Sequence, residues 1–150
     1  ICCLIMLIGC ANSSNSFLNN NEINNSLIQN DDTKDSDVKV SDIKIIIDDK
    51  EYTLKLENNS TVDEFINMLP QEFTMSELNG NEKYAYMDNS LSINTYNYKH
   101  IEKGDVMLYG DNCLVIFYKS FDTSYSYTKI GHIDNLPNLG NNSITVKFEK

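Results

Sequence analysis

The chain has 150 residues, of which 22 are acidic and 12 are basic, so its formal charge is −10 at pH 7. That length accommodates one domain with an appendage, and the sequence contains neither arginine nor tryptophan. Because nucleic acid binding needs clustered positive charge, this composition argues against nucleic acid as a partner and against adhesion to an anionic membrane by charge alone.

The first ten residues are uncharged and mostly apolar. They are far short of the roughly 20 residues that a membrane-spanning helix needs, and they resemble the end of a signal peptide. No positively charged segment precedes this apolar run, and the sequence starts with Ile1. We therefore expect the complete precursor to carry further residues before Ile1.

The four residues 7–10, Leu-Ile-Gly-Cys, resemble a bacterial lipobox, and Cys10 stands where the apolar run gives way to polar residues. The resemblance implies lipid attachment at Cys10 and a protein anchored to the extracytoplasmic face of the cell membrane through its acyl chains. Each buried methylene contributes about 0.8 kcal/mol, so more than one chain gives stable anchoring. The alternative is an ordinary secretory signal in which Cys10 is incidental.

Residues 11–42 are rich in asparagine, serine and aspartate. Such a segment buries too little apolar surface to offset the entropy of ordering it, so we predict a disordered tether. The remainder, residues 43–150, is long enough to form one hydrophobic core and is predicted to be a single domain.

The domain begins with two runs rich in β-branched residues, 43–47 and 52–56, separated by the turn residues Asp48 and Asp49. This pattern predicts a β-hairpin.

An amphipathic helix is predicted to follow, over residues 60–69. Thr61 and Glu64 have the spacing of a capping box, and Pro70 discourages continuation. The apolar residues share one stripe at helical spacing. They are Val62, Phe65, Ile66 and Leu69.

Short segments rich in β-formers occupy the rest of the chain, with Gly- or Asn-containing turns between them. These predicted strands are residues 73–78, 83–87, 106–109, 113–118, 124–131 and 144–148. Together with the hairpin they predict a small barrel or sandwich of about eight strands. In residues 113–118 both alternating faces are apolar, which predicts a strand covered on both sides, as when a helix closes a barrel.

Three strings carry a resemblance to a known family: residues 75–84, residues 104–110, and residues 113–119 running into 123–128. With the hairpin and helix, they resemble the bacterial cyclophilin-like fold family over nearly all of residues 43–150. The resemblance implies a mainly β fold, a closed or nearly closed antiparallel β-barrel of about eight strands with one capping α-helix. Members of that family generally lack an assigned activity.

The resemblance also raises the question of prolyl isomerase activity. True cyclophilins donate a hydrogen bond from an arginine beside a pocket that contains tryptophan, and this chain has neither residue. Lysine lacks the planar fork of arginine, and a shared fold does not imply a shared function. We therefore predict a non-enzymatic binding domain, with a weak peptidyl-prolyl isomerase acting on extracytoplasmic proteins, or an accessory subunit of a surface complex, as alternatives.

Aromatic rings and hydroxyls alternate near residue 125, which at strand spacing places Tyr125 and Tyr127 on one face. The alternative is a barrel strand whose tyrosines pack inward or across strands. The functional interpretation is a surface for an unknown small molecule or peptide. Its candidate residues are Asn79, Glu82, Tyr84, Tyr125, Tyr127 and Thr128.

Neither a cofactor nor a metal site is predicted, and no residue is assigned a catalytic role. The two histidines, His100 and His132, have no nearby cysteine or paired histidine, which makes a poor metal-ligand set. Cys113 lies in an apolar segment, so we interpret it as a small buried hydrophobe with a raised pKa rather than a nucleophile. The sequence has no phosphate-binding glycine loop and no Gly-x-Ser-x-Gly motif.

The lipobox interpretation predicts that Cys10→Ala abolishes palmitate incorporation, because acylation requires that thiol. Metabolic labelling with palmitate in a bacterial host measures this directly. Cys3→Ala, in the same apolar run, is the matched control and should keep the label. Equal labelling of the Cys10→Ala variant and the parent chain would contradict the assignment.

Overall fold

The computed structural model describes residues 39–150. The predictions made for the signal segment, for Cys10 and for residues 11–38 of the tether lie outside the described residues. The described chain forms strands and one helix in the following order: β1 (Asp42–Ile47), β2 (Lys50–Leu56), α1 (Ser60–Asn67), β3 (Gln71–Leu78), β4 (Glu82–Tyr86), β5 (His100–Ile101), β6 (Asp105–Tyr109), β7 (Cys113–Phe117), β8 (Phe121–Asp122), β9 (Thr128–Ile133) and β10 (Ile144–Glu149).

Eight of these strands form a closed barrel, in the order β1-β10-β3-β4-β7-β6-β9-β2. Every neighbouring pair is antiparallel. Closure gives each barrel strand two hydrogen-bonded neighbours, so no barrel strand is left as an exposed edge. The predicted fold class, a mainly β closed antiparallel barrel with one helix, is confirmed.

The turns follow the sequence chemistry. Asp48 and Asp49 join β1 to β2 with φ values of 43° and 68°, and Asn79 and Gly80, in the three-residue turn between β3 and β4, have φ values of 56° and 70°. Such left-handed conformations match the twist of antiparallel strands and favour Asn, Asp and Gly. The predicted first hairpin is confirmed by the β1–β2 register, in which Ile47 pairs with Lys50.

The helix begins where the sequence predicts it and ends at Asn67, two residues before the predicted end. The predicted capping box is wrong. The N-cap is Asn59, whose side-chain oxygen accepts a hydrogen bond from the Val62 N–H at 3.0 Å. The Thr61 hydroxyl instead donates to the Ser92 carbonyl at 2.6 Å, and the Glu64 carboxylate accepts from the Ser92 N–H at 2.7 Å. Both side chains thus hold the loop after β4 against the helix.

The main core fills the barrel and includes the buried face of α1. Phe65 of the helix is fully buried and meets Phe148 of β10 edge to face, with ring centroids 5.3 Å apart. Aromatic pairs favour this geometry over a face-to-face stack. Among the residues that the structure describes, no helix has the length and apolar character needed to cross a membrane.

A second, smaller core lies on the outer side of the barrel wall, and it explains the doubly apolar segment. All residues of β7 are buried. Leu114 and Ile116 belong to the main core, whereas Val115 and Phe117 belong to the second one. The prediction that this strand is covered on both sides is therefore confirmed, although the outer cover is not a helix.

The cover is a separate layer that we call the outer ribbon, residues 96–101 and 121–127. Strands β5 and β8 pair with each other within it, and an isolated bridge joins Tyr96 to Tyr127. Because these residues leave the barrel to cross its outer face, the predicted strand over 124–131 is wrong in its first half: β9 begins only at Thr128.

The capping assignment predicts that Asn59→Ala destabilises the domain by about 1 kcal/mol, a typical cost of losing an N-cap side chain. Its amide also donates to the Lys129 carbonyl at 2.9 Å, which adds to the loss. Urea unfolding monitored by circular dichroism measures the change. The neighbouring exposed Asn58→Ala serves as the control, and an equal effect of the two variants would contradict the assignment.

Candidate functional site

A cleft of about 500 Å³ opens on the outer face of the barrel wall, beside the outer ribbon. This volume lies within the ordinary range for small-molecule sites. The residues that line it are Leu78, Asn79, Asn81, Glu82, Tyr84, Tyr86, Tyr109, Cys113, Val115, Phe121, Asp122, Thr123, Ser124, Tyr125 and Tyr127.

Strand pleating builds the first wall. Successive side chains of a strand point to opposite faces, so Glu82, Tyr84 and Tyr86 of β4 project together into the cleft. In the β4–β7 register Tyr84 lies opposite Val115, and Tyr86 lies opposite Cys113. The outward residues of β7 therefore form the floor between the tyrosines of β4 and the opposite wall.

The opposite wall is aromatic and combines β6 with the outer ribbon. The Tyr109 ring lies 6.0 Å from the Tyr125 ring and 5.6 Å from the Tyr127 ring. Tyr127 also meets Phe117 at 5.5 Å, nearly perpendicular. These contacts tie the ribbon to the barrel wall and hold three tyrosine rings at one side of the cleft.

Several of these rings keep much of their surface in solvent. The exposed fraction is 68% for Tyr86, 47% for Tyr109 and 61% for Tyr125. Clustered exposed aromatic residues are uncommon on a soluble domain without a binding role, because their apolar surface gains free energy when it is covered. The cleft therefore presents contact area that the fold itself does not use.

Glu82 is the carboxylate within this apolar surround. Its pKa is raised to about 7, chiefly by burial and secondarily by the negative charge of Glu77. Burial likewise raises the pKa of the Cys113 thiol, with the Glu82 charge acting in the same direction. The pKa of the Tyr127 hydroxyl is raised chiefly by burial and secondarily by Glu82. Near neutral pH the carboxyl group of Glu82 is thus partly ionised, whereas Tyr127 and Cys113 are protonated.

The neighbouring lysine cannot neutralise Glu82 because it points to the other face of β4. Lys83 is fully buried, and its ammonium group donates to the carbonyl oxygens of Gly140 and Asn142, each at 2.7 Å. Burial lowers the pKa of Lys83, while Glu77 and Asp48 oppose that shift. Lys83 is therefore committed to the loop before β10.

One polar atom at the cleft lacks a partner. The side-chain oxygen of Asn81 is buried and accepts no hydrogen bond. Buried acceptors are nearly always paired, since leaving one unpaired costs on the order of 1–3 kcal/mol. Asn81 thus supplies an unused acceptor among the lining residues.

Five of the six residues predicted as a ligand surface line this one cleft: Asn79, Glu82, Tyr84, Tyr125 and Tyr127. Thr128 does not line it, because it is fully buried at the start of β9, where its hydroxyl accepts a hydrogen bond from the Asn94 N–H at 2.9 Å.

Sequence reasoning missed other lining residues, among them Tyr86, Tyr109 and Phe121. Tyr86 could have been found from its alternation with Glu82 and Tyr84 along one strand. Tyr109 and Phe121 carried no comparable signal, because they reach the cleft only through the pairing of β6 with β7 and the path of the outer ribbon.

The histidines lie outside the cleft lining. His100 is exposed on β5 and forms a 2.5 Å hydrogen bond with Asp122, which raises its pKa. His132 lies 2.9 Å from buried Asp105, whose carboxylate also pairs with Lys129 at 3.0 Å. Within residues 39–150, no three histidine, cysteine or acidic side chains converge as metal ligands.

Residues 45–149 match the model of the cyclophilin-like family. The matched span includes most of the barrel and the entire cleft. No curated protein and no solved structure matches the chain.

The raised pKa of Glu82 predicts a pH-dependent stability. The folded state binds a proton more tightly than the unfolded chain, so Glu82 stabilises the fold at acidic pH, and this contribution disappears as pH rises through about 7. Glu82→Gln removes this pH-dependent loss of stability, because glutamine does not titrate. We expect the variant to lose about 2 kcal/mol less unfolding free energy between pH 5 and 8 than the parent chain.

Urea unfolding at a series of pH values tests this expectation. Glu72→Gln, at an exposed position of β3, is the matched control and should follow the parent curve. Parallel pH profiles for the parent and Glu82→Gln would show that Glu82 titrates normally.

Proposed function

Since the chain belongs to the cyclophilin-like family and its own barrel bears an open aromatic cleft, we propose that the domain binds a small molecule or peptide without chemically transforming it. The observation that carries this proposal is the convergence of five tyrosines on one cleft of about 500 Å³. They come from β4, from β6 and from the outer ribbon, so three separate parts of the chain supply the same surface.

The nature of the contact surface supports binding. Tyrosine offers a large rigid ring with only two side-chain torsions, so it gains contact area at a low cost in conformational entropy. The floor, Val115 and Cys113, is already packed into the second core. A ligand would therefore meet a preformed floor, which lowers the ordering cost of association.

The chemistry of the lining favours binding over prolyl isomerisation. An isomerase lowers the rotation barrier by donating a hydrogen bond that weakens amide conjugation. The chain has no arginine, and the charged lining residues, Glu82 and Asp122, are acidic. Lys83 is directed into the barrel and bonded there. The lining residues thus include no cationic donor of the kind that the arginine of true cyclophilins supplies.

The lipobox pattern at residues 7–10 extends the proposal to location. Acyl chains on Cys10 would hold the protein on the extracytoplasmic face of the cell membrane, with the residues between Cys10 and β1 as a tether. The domain would then bind its ligand outside the cytoplasm, close to the membrane surface.

The proposal predicts that Tyr125→Ala abolishes ligand-induced thermal shifts. The Tyr125 side chain is 61% exposed, so its removal should leave the fold intact while taking away one of the three tyrosine rings that form the opposite wall. The full chain is screened by thermal shift against carboxylic acids, amines, neutral aromatic fragments and tripeptides.

Tyr96→Ala is the matched control, because Tyr96 is 65% exposed but does not line the cleft. It should keep every shift. A panel in which no compound gives a Tyr125-dependent shift would overturn the binding function.

A further inference from the structure

The charged groups that line the aromatic cleft are both carboxylates, Glu82 and Asp122. No lysine or histidine is among the lining residues. An anionic ligand would therefore meet like charge at close range, and the chain as a whole carries a charge of −10. A cationic ligand would be attracted both by the cleft and by the field of the whole protein.

The two carboxylates are not equivalent. Asp122 already has a partner, since its oxygen lies 2.5 Å from the His100 ring nitrogen. Glu82 forms no ion pair with any lysine or histidine of residues 39–150, although it is half-buried. A half-buried carboxylate without a counter-charge is a costly arrangement, which a bound cation would relieve.

Five tyrosines line the same cleft as this carboxylate. The Tyr84 and Tyr86 rings lie 5.9 Å apart and nearly perpendicular, on the same strand as Glu82. Across the cleft, Tyr109 and Tyr125 lie 6.0 Å apart at 84°. Rings set at right angles present faces in more than one direction, and aromatic faces attract organic cations when water is displaced.

We propose that the ligand of this cleft carries an organic cation, a protonated or quaternary amine, whose charged head lies among the tyrosine rings beside Glu82. This inference rests on the proposed binding function and names its ligand class. The buried oxygen of Asn81, which has no hydrogen-bond partner, would accept a hydrogen bond from the N–H of a protonated amine.

Neutral and cationic ligands have opposite effects on the pKa of Glu82. A neutral ligand would displace water from the carboxylate and offer no charge in exchange, which favours its protonated form. A cation favours the ionised form. Since the pKa of free Glu82 is about 7, binding of a cation near neutral pH should release a proton from Glu82.

The test compares choline with its neutral isostere 3,3-dimethylbutan-1-ol, which has the same shape without the charge. Isothermal titration calorimetry of the full chain measures both affinities at pH 8. We expect choline to bind about tenfold more tightly. Glu82→Gln should remove most of that preference, and Tyr125→Leu, which keeps apolar bulk but removes the ring face, should reduce it. Glu72→Gln is the control and should leave it unchanged.

A pH series adds a readout that a purely structural effect would not change. Choline affinity should rise between pH 6 and 8 as Glu82 ionises, while the affinity of the neutral isostere should not. The other groups facing Glu82 are Glu77 on β3, Tyr118 after β7, and Cys113 and Tyr127. Burial raises the pKa values of that thiol and of both hydroxyls, so these three stay protonated across the series.

His100 also titrates, because its bond with Asp122 raises its pKa, and its deprotonation would strengthen the negative field of the cleft. The Glu82→Gln variant separates the two effects. A pH dependence that persists unchanged in Glu82→Gln would assign it to His100 and overturn the role of Glu82.

The outcomes separate this inference from the proposed function. Equal affinity for choline and its isostere, or binding of neutral fragments alone with a Tyr125-dependent thermal shift, would overturn the cation assignment and leave the binding function standing. No binding by any probe would overturn both. Tighter binding of N-acetyl-trimethyllysine methylamide than of choline supports a peptide side chain as the cation source, and the reverse order supports a free amine.

Discussion

Strand β7 of the barrel wall is packed on both of its faces, and the rest of the structure depends on that double burial. Leu114 and Ile116 fill the barrel on one side of β7, while Val115 and Phe117 support the outer ribbon on the other. A strand apolar on both faces is stable in water only when both are covered. The outer ribbon covers the outer face of β7. Because it does not extend over all of β4, a cleft stays open there.

The same pleating separates opposite charges that are adjacent in sequence. Glu82 and Lys83 are chain neighbours, yet the lysine enters the barrel interior and the carboxylate enters the cleft. On a helix or loop the two could pair or share water, but on a strand they point to opposite faces. An acidic, aromatic cleft without a lysine is therefore a consequence of strand geometry as well as of composition.

The predictions from sequence succeeded where a local pattern has one structural solution. Turn residues such as Asp48 and Asn79 adopt the left-handed conformations that tight hairpins need, and the stripe of Val62, Phe65 and Ile66 is buried as helical spacing requires. The predicted capping box was wrong because the side chains of Thr61 and Glu64 form hydrogen bonds with Ser92, a residue distant in sequence. A local motif cannot reveal a competing long-range partner.

By itself, the sequence determined the fold class, the first hairpin and the helix, and it named five residues that line the cleft. Strand alternation, helical spacing and turn chemistry are local patterns, and the family resemblance follows the order of the elements along the chain. Only the tertiary structure decided that residues 124–127 leave the barrel, that Thr128 is buried away from the cleft, and that Tyr86, Tyr109 and Phe121 join it. These outcomes depend on which strands become neighbours when the barrel closes, and strand pairing between distant segments is a property of the whole packed chain.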